Sequence, residues 1–227
     1  PAVVRLAAKH GLKIGAINPN VFQDQCYKYG SFSNRDAKIR DRAIRHTLDS
    51  IAIGKAAGSS LLSMWFTDGT NYPGQDDLVR RKRAMAASLA RVHKALPRGM
   101  TMLVEYKPFE PAFYSTDIPD WGTSMLLCQA AGPQAKVLVD TGHHLLGTNI
   151  EQIVATLLDE GLLGGFHFND RKYADDDLTA SSIAPYQLFL AFDQIVAARV
   201  RARGRAGSQD IAYMNDHSHN EKPKVEA

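Results

Sequence analysis

The sequence predicts an α/β fold of parallel strands: an incomplete (β/α)8 TIM barrel with about six of the eight strand–helix units. Two observations predict it. Short apolar runs of β-type residues alternate with helical segments along the chain, and several of these runs end in a carboxylate or an imidazole. In an α/β barrel, catalytic groups lie where strands lead into the following helices. A doubly wound sheet is the alternative, but no glycine-rich nucleotide fingerprint follows any strand.

The predicted elements follow one another as strand and helix. The strands are short, non-alternating apolar runs of the kind that is buried on both faces of a parallel sheet: 13–18, 60–66, 101–107, 136–142, 164–170 and 210–216. The helices carry apolar residues at helical spacing: 2–10, 35–57, 76–96, 118–132, 149–160 and 183–203. The long loops 19–33, 67–75 and 108–117 all follow strands, which is the catalytic face of a barrel.

Start and stop signals support the helix boundaries. The segment Ser33–Asp36 offers an N-cap for the long helix at 35–57, and Gly58 ends that helix. Ile118-Pro119-Asp120 precedes the helix that ends at Gly132, and Asn149 precedes the helix that ends before Gly161. These signals place each helix between two predicted strands.

Composition predicts one globular domain spanning residues 1–227. Hydrophobic residues make up 44% of the 227 residues, charged residues make up 22%, and the net charge is +3. The basic clusters 80–83 and 199–205 read as solvated helix faces, so no nucleic-acid partner is expected. Two cysteines without a CxxC motif, Cys26 and Cys128, indicate free thiols in a reducing compartment, and a single disulfide is the alternative. With no signal peptide and no membrane-length apolar run, a cytoplasmic location and no membrane partner are expected.

Four strand ends carry residues that bind divalent metals. Glu105 ends the third strand, Asp140 the fourth, His167 lies at the end of the fifth, and Asp216 ends the sixth. Carboxylates and neutral imidazole together suit a cation of the Mn²⁺, Co²⁺ or Zn²⁺ type. Strands that are neighbours in a barrel would bring these groups to one axis, so we predict a metal site there.

A second metal is predicted beside the first. His143 follows Asp140 by three residues, which allows Asp140 to bridge one metal to another held by His143. Asp175 and Asp177 are two residues apart, so both can face one cation while Asp176 points away. Each of these residues alone would more often be an ordinary turn or solvated-loop residue, and the prediction rests on the whole set.

Lys107 and Trp65 are predicted to face the substrate. Lys107 lies two residues beyond Glu105 and shares its face of the strand, where a lysine can stabilise negative charge on a substrate oxygen. It could equally serve as a counter-ion to the carboxylates. Trp65, at the end of the second strand, offers a flat apolar wall on which sugar rings stack, although a lone tryptophan is often simply core.

Several segments together resemble the bacterial L-rhamnose isomerases and, more broadly, the xylose-isomerase-like TIM barrels. They are WFTDGTNYPGQ (65–75), VEYKPFEPAFYSTDIPDWGTS (104–124), VDTGHHLLGTNIEQIVA (139–155), GFHFNDRKYADDDLTA (165–180) and YMNDHSHNEKPK (213–224). The resemblance implies a homotetrameric enzyme that interconverts an aldose and its ketose, such as L-rhamnose and L-rhamnulose, with two divalent ions, commonly Mn²⁺. Hydrogen would move between C1 and C2 by a metal-assisted hydride shift or through an enediol.

The resemblance also implies roles for individual residues. It assigns the first metal to Glu105, Asp140, His167 and Asp216, and the second to His143, Asp175 and Asp177. Asp140 would bridge the metals, Lys107 and Asp216 would be catalytic, and Trp65, Lys107 and His143 would bind substrate.

The chain also departs from this pattern. The family's sugar-binding histidine before residue 13 has no good counterpart, because His10 lies in a helix. Ala184, Asn215 and His217 replace residues that the family usually shows. The resemblance also implies further barrel structure before residue 13 and a longer C-terminal region, so the chain is expected to be a fragment that lacks the first strands and the C-terminal region. The alternatives are a metal-dependent sugar epimerase or hydrolase on the same fold, and a non-catalytic barrel fragment.

Overall fold

The structure, a computed structural model, describes residues 2–70, 74–109, 114–202 and 210–218. It divides into two compact units, Pro1–Lys136 and Val137–Ala227. Among the described residues, no helix combines the length and the apolar character needed to cross a membrane. Cys26 and the buried Cys128 are both free, as predicted.

The first unit is a parallel three-stranded arrangement with helices between its strands. Its elements are α1 (Ala2–Lys9), β1 (Ala16–Ile17), a 3₁₀ helix (Gln25–Tyr27), α2 (Ala37–Ala57), β2 (Leu61–Met64), α3 (Leu78–His93), β3 (Thr101–Glu105) and α4 (Trp121–Ala131). β2 pairs in parallel with β1 and with β3. Its core consists of fully buried strand and helix residues, among them Leu62, Met64, Met85, Leu89 and Leu103.

The second unit repeats the pattern. Its elements are β4 (Ala135–Asp140), α5 (Ile150–Asp159), β5 (Leu163–Phe168), α6 (Pro185–Arg201) and β6 (Ala212–Asn215). β5 pairs in parallel with β4 and with β6. The register sets Asp140 opposite His167 and Phe168 opposite Asn215, so the carboxyl ends of the three strands are level. Every residue of β5 is buried, as expected for a strand covered on both faces.

Side chains cap four of the described helices, and the caps of α2, α4 and α5 lie at the predicted start signals. Asp36, Asp77, Asp120 and Asn149 each accept a hydrogen bond from a backbone N–H in the first turn of their helix. Gly58 ends α2 with a φ of 75°, a left-handed conformation that glycine adopts without steric cost.

The start of α6 is capped differently. Its N-cap residue, Ala184, has no side chain that can accept a hydrogen bond, and Pro185 begins the helix. The carboxylate of Asp170 takes over, because its Oδ2 accepts from the N–H groups of Ile183 and Ala184, each at 2.8 Å. The loop that follows β5 is thereby fastened to the helix that leads to β6.

The predicted strands at the two ends of the chain are longer than the observed ones. The prediction of 13–18 shrinks to Ala16–Ile17, and that of 210–216 shrinks to Ala212–Asn215. The internal strands and helices lie where they were predicted, to within a few residues at each end. Residues 71–73 of the predicted loop 67–75, residues 110–113 of the loop 108–117, and residues 219–224 of the last motif lie outside the described residues.

A buried charge network fastens the post-strand loops of the first unit. Both oxygens of the Asp68 carboxylate accept hydrogen bonds, from the N–H and hydroxyl groups of Ser31 and of Ser33, all at 2.8 Å. Arg81, which is 2% exposed, makes a bidentate contact with Asp117 and a 2.9 Å ion pair with Asp76. Although burial opposes its charge, the hydrogen bonds and charge of Asp117 keep the pKa of Arg81 above its ordinary value.

Candidate metal centre

Asp140 lies at the centre of a cluster of acidic and imidazole side chains in the second unit. It ends β4, and its side chain is completely buried. Oδ1 accepts a hydrogen bond from the N–H of Gly142 at 2.8 Å, and the amide of Asn169 donates to both carboxylate oxygens at 2.9 and 3.0 Å. A buried carboxylate needs such donors or a cation, because burying an uncompensated charge is costly.

Two histidines face the other side of this carboxylate. Asp140 Oδ2 lies 3.9 Å from Nε2 of His143 and 3.9 Å from Nδ1 of His167. These separations are too long for hydrogen bonds. Two ligands that each lie about 2.0–2.2 Å from one cation are separated by roughly 3–4 Å, depending on the angle between them. The observed spacing therefore suits ligands that share a metal.

Asp216 completes a group of three potential ligands. It follows β6, and its Oδ2 lies 3.7 Å from Nδ1 of His167. One ligand atom from each of Asp140, His167 and Asp216 lies within 4.8 Å of the others. Asp140 and His167 are buried, whereas the Asp216 side chain is 55% exposed and leaves one side of the group open to solvent.

The loop after β5 brings two more carboxylates. Asp175 Oδ1 lies 3.4 Å from Nε2 of His143, and the charge of Asp175 helps to raise the pKa of Asp177, two residues further along the loop. Asp176 turns away and accepts hydrogen bonds from the N–H groups of Lys172 and Tyr173. Nε2 of His143 therefore lies within 4 Å of both Asp140 and Asp175.

Neighbouring carboxylates of the cluster repel one another. Burial, which is the largest cause, and the charges of Asp175, Asp216 and Asp140 together raise the pKa of Asp177 to about 7. Its backbone has a φ of 46°, in the left-handed region that non-glycine residues seldom adopt. Strain and charge repulsion concentrated at one residue are typical of functional sites. The residues of the second unit therefore fit a divalent cation.

This repulsion predicts a pH dependence of stability. Because the pKa of Asp177 rises from 3.8 in the unfolded chain to about 7 in the fold, the folded state holds an extra proton between these values. The stability of the metal-free protein should fall as the pH rises through that window. Thermal melting from pH 5 to pH 8 in chelator checks this, and Mn²⁺ should raise the melting temperature more at pH 8 than at pH 5. A metal-free melting temperature that rises across this range would contradict it.

Two of the three predicted substrate residues, Lys107 and Trp65, lie in the first unit, whereas His143 lies in the second. Lys107 follows β3, where its N–H donates to the carbonyl of Ile118 at 3.0 Å and its carbonyl accepts from the Thr116 hydroxyl. Its Nζ lies 5.5 Å from the centre of the Trp65 ring, a cation–π distance. The edge of Phe22 packs against Trp65, with ring centroids 4.6 Å apart. The backbone of Lys107 is therefore held on both sides while its amine rests on an aromatic wall.

The structure distributes the predicted site residues between the two units. The second unit brings together Asp140, His143, His167, Asp175, Asp177 and Asp216, and the first brings together Lys107 and Trp65. Glu105 ends β3 in the first unit and is 4% exposed. Sequence reasoning missed Asn169, whose amide holds Asp140. Its position directly after β5 places it among the strand ends, but nothing in the sequence shows that it contacts Asp140.

The profile of the xylose isomerase-like TIM barrel family matches residues 1–194. The chain belongs to this family. The predicted fold class is thereby confirmed, because the parallel strand–helix units of both halves are those of this barrel.

Two relatives with similar sequences are named as probable sugar isomerases. The chain is 47% identical, over 96% of its length, to a "probable sugar isomerase" of Rhizobium meliloti strain 1021, and 44% identical, over 97%, to another of Mesorhizobium japonicum. It spans about half the length of these curated relatives, 51% and 52% respectively. Among solved structures, the IOLI protein "with a binding zinc atom" superposes with a TM-score of 0.63 at 13% identity, covering 96% of this chain and 73% of that one. That likeness concerns the fold.

Proposed function

We propose that the protein is a metal-dependent aldose–ketose isomerase of the L-rhamnose isomerase type. The observation that carries the proposal is the cluster around Asp140, in which two imidazoles and three further carboxylates surround one buried carboxylate. Relatives named probable sugar isomerases support the reaction class. The motif resemblance supports L-rhamnose as the sugar.

Two metal positions follow from the cluster. Asp140, His167 and Asp216 would hold the first ion, and the resemblance adds Glu105 to its ligands. His143, Asp175 and Asp177 would hold the second, and Asp140 would contact both. Divalent ions bound there would act as Lewis acids on oxygens of the open-chain sugar. Mn²⁺ is the proposed ion, and Co²⁺ and Zn²⁺ suit the same ligands.

The chain's own groups would orient the sugar and balance its charge. Trp65 offers an apolar face, and Lys107 carries a positive charge fixed beside it. An ammonium held in this way stabilises negative charge that develops on a substrate oxygen.

An assay of the purified protein tests the proposal. With L-rhamnose and Mn²⁺, ketose should accumulate, and chelator should stop it. A panel of other aldoses would show the sugar preference. No chelator-sensitive ketose from any aldose would overturn the proposal. Epimer formation without ketose would instead favour the epimerase alternative.

Replacing Lys107 with methionine should lower kcat without loss of metal. We expect a decrease of about 10²–10³-fold, since removing a charge-stabilising group at a reacting oxygen has effects of this size. The Mn²⁺ dissociation constant should stay within about twofold of the unmodified protein. Lys172→Met is a matched control, because Lys172 also rests on an aromatic ring, that of Tyr173, but on an exposed loop. An unchanged kcat in Lys107→Met would remove this lysine from the reaction.

A further inference from the structure

Asn169 lies directly behind the proposed metal centre and is not among its ligands. It is 5% exposed and follows β5. Its backbone is locked to the end of β4 in both directions, because Asn169 N–H donates to the Thr141 hydroxyl at 3.0 Å and that hydroxyl donates to the Asn169 carbonyl at 2.7 Å. This double contact fixes where the side chain begins.

The orientation of the Asn169 amide follows from its partner. An ionised carboxylate can only accept hydrogen bonds, so the NH₂ end of the amide must face Asp140. It donates to Oδ1 at 2.9 Å and to Oδ2 at 3.0 Å. The Gly142 N–H also donates to Oδ1, at 2.8 Å. Oδ1 is therefore occupied by two donors, and Oδ2 is the oxygen that is turned toward the two histidines.

The carbonyl end of the Asn169 amide is in an unfavourable environment. Asn169 Oδ1 is buried and has no hydrogen-bond partner in the described part of the chain. A buried acceptor without a partner is unfavourable. The side chain thus leaves its own carbonyl unsatisfied while both carboxylate oxygens of Asp140 are held. An arrangement of this kind favours a role at the carboxylate over a role in packing.

Gly142 leaves the room that this amide needs. A Cβ added at Gly142 would lie 2.4 Å from Asn169 Oδ1 and 3.3 Å from Asp175 Oδ1. The first distance is far inside van der Waals contact, so an alanine there would push the amide away from its position. The positions of Asp140, Gly142 and Asn169 therefore depend on one another. The missing side chain at Gly142 leaves space for the Asn169 amide, and that amide holds the Asp140 carboxylate in place.

We propose that Asn169 is a positioning residue that fixes the rotation of the Asp140 carboxylate and thereby sets the metal affinity of the centre. The inference rests on the proposed metal centre. Partners that orient a metal ligand from behind typically change affinity 10–100-fold when they are removed. Without the amide, the carboxylate can turn and Oδ2 no longer faces both imidazoles.

Calorimetric titration of the purified protein with Mn²⁺ tests this inference. Asn169→Leu keeps the approximate shape of the side chain and removes its hydrogen bonds, and its Mn²⁺ dissociation constant should rise by about 10–100-fold. Gly142→Ala keeps the asparagine and displaces it, and the constant should rise in the same direction. This second variant keeps the inference testable if Asn169→Leu does not fold.

Asn149→Ala is the matched control. Asn149 caps α5 in the same unit through a 2.8 Å hydrogen bond from the N–H of Gln152, and it is not among the proposed metal ligands. This variant should melt at a lower temperature with its Mn²⁺ affinity unchanged. If Asn169→Leu binds Mn²⁺ as tightly as the unmodified protein, the positioning role is wrong while the metal centre stands. If the unmodified protein binds no Mn²⁺, the proposed function and this inference both fail.

Discussion

Asp140→Ala is expected to lose Mn²⁺ binding and, with it, isomerase activity. Its Oδ2 faces both His143 and His167, so its removal takes a shared ligand from both proposed metal positions. We expect the Mn²⁺ affinity to fall by more than about 100-fold, beyond the loss that follows removal of an outer partner. Calorimetric titration and the ketose assay measure the two effects.

The control for this variant is Asp159→Ala. Asp159 is the last residue of α5 in the same unit, and it is exposed. It should bind Mn²⁺ and form ketose like the unmodified protein. Circular dichroism should show that both variants remain folded. Mn²⁺ affinity in Asp140→Ala equal to that in Asp159→Ala would mean that the cluster is not the metal site.

Arg81→Met should lower the free energy of unfolding by about 3–5 kcal/mol. Its side chain is 3% exposed and is paired with Asp76 and Asp117. Its removal leaves the Asp117 carboxylate, which is 8% exposed, without its bidentate partner, whereas Asp76 keeps its ion pair with Arg80. Breaking a buried ion pair from one side has costs of this size. Urea denaturation of the variant and of the unmodified protein measures the difference.

Arg80→Met is the matched control on the same helix. The Arg80 side chain is 30% exposed and forms an ion pair with Asp76 at 2.7 Å. Because partly exposed pairs contribute little, the loss should be no more than about 1 kcal/mol. Equal losses in the two variants would show that burial of Arg81 does not set the strength of the network.

The parts of the fold that could be predicted are those written in local patterns. Apolar runs and helix signals located the internal elements, and Asp36, Asp120 and Asn149 cap helices as their sequence positions suggested. The outer strands were overestimated for a physical reason. An apolar run indicates which residues can be buried, whereas a strand also requires backbone hydrogen bonds to a neighbouring strand. Lys13 and Gly15 are exposed, and β1 pairs only through Ala16 and Ile17.

The candidate site could be predicted to the extent that it lies at strand ends. Asp140 and His167 are register partners on adjacent strands, so two correctly placed strands were enough to bring them together. Asn169 and the pairing of Asp68 with Ser31 and Ser33 could not be foreseen. Asparagine after a strand and aspartate in a polar loop are also common in exposed turns, where they hold no other side chain. Only the folded structure shows which groups such a side chain contacts.

The number of divalent ions bound by the purified protein tests the account most directly. The protein would be stripped with chelator, dialysed and titrated with Mn²⁺ at pH 8, where Asp177 is ionised. We expect saturable binding of about two Mn²⁺ ions per chain, one at each proposed metal position, together with a higher melting temperature. Binding of Mn²⁺, Co²⁺ and Zn²⁺ no tighter than that of Asp140→Ala would contradict it.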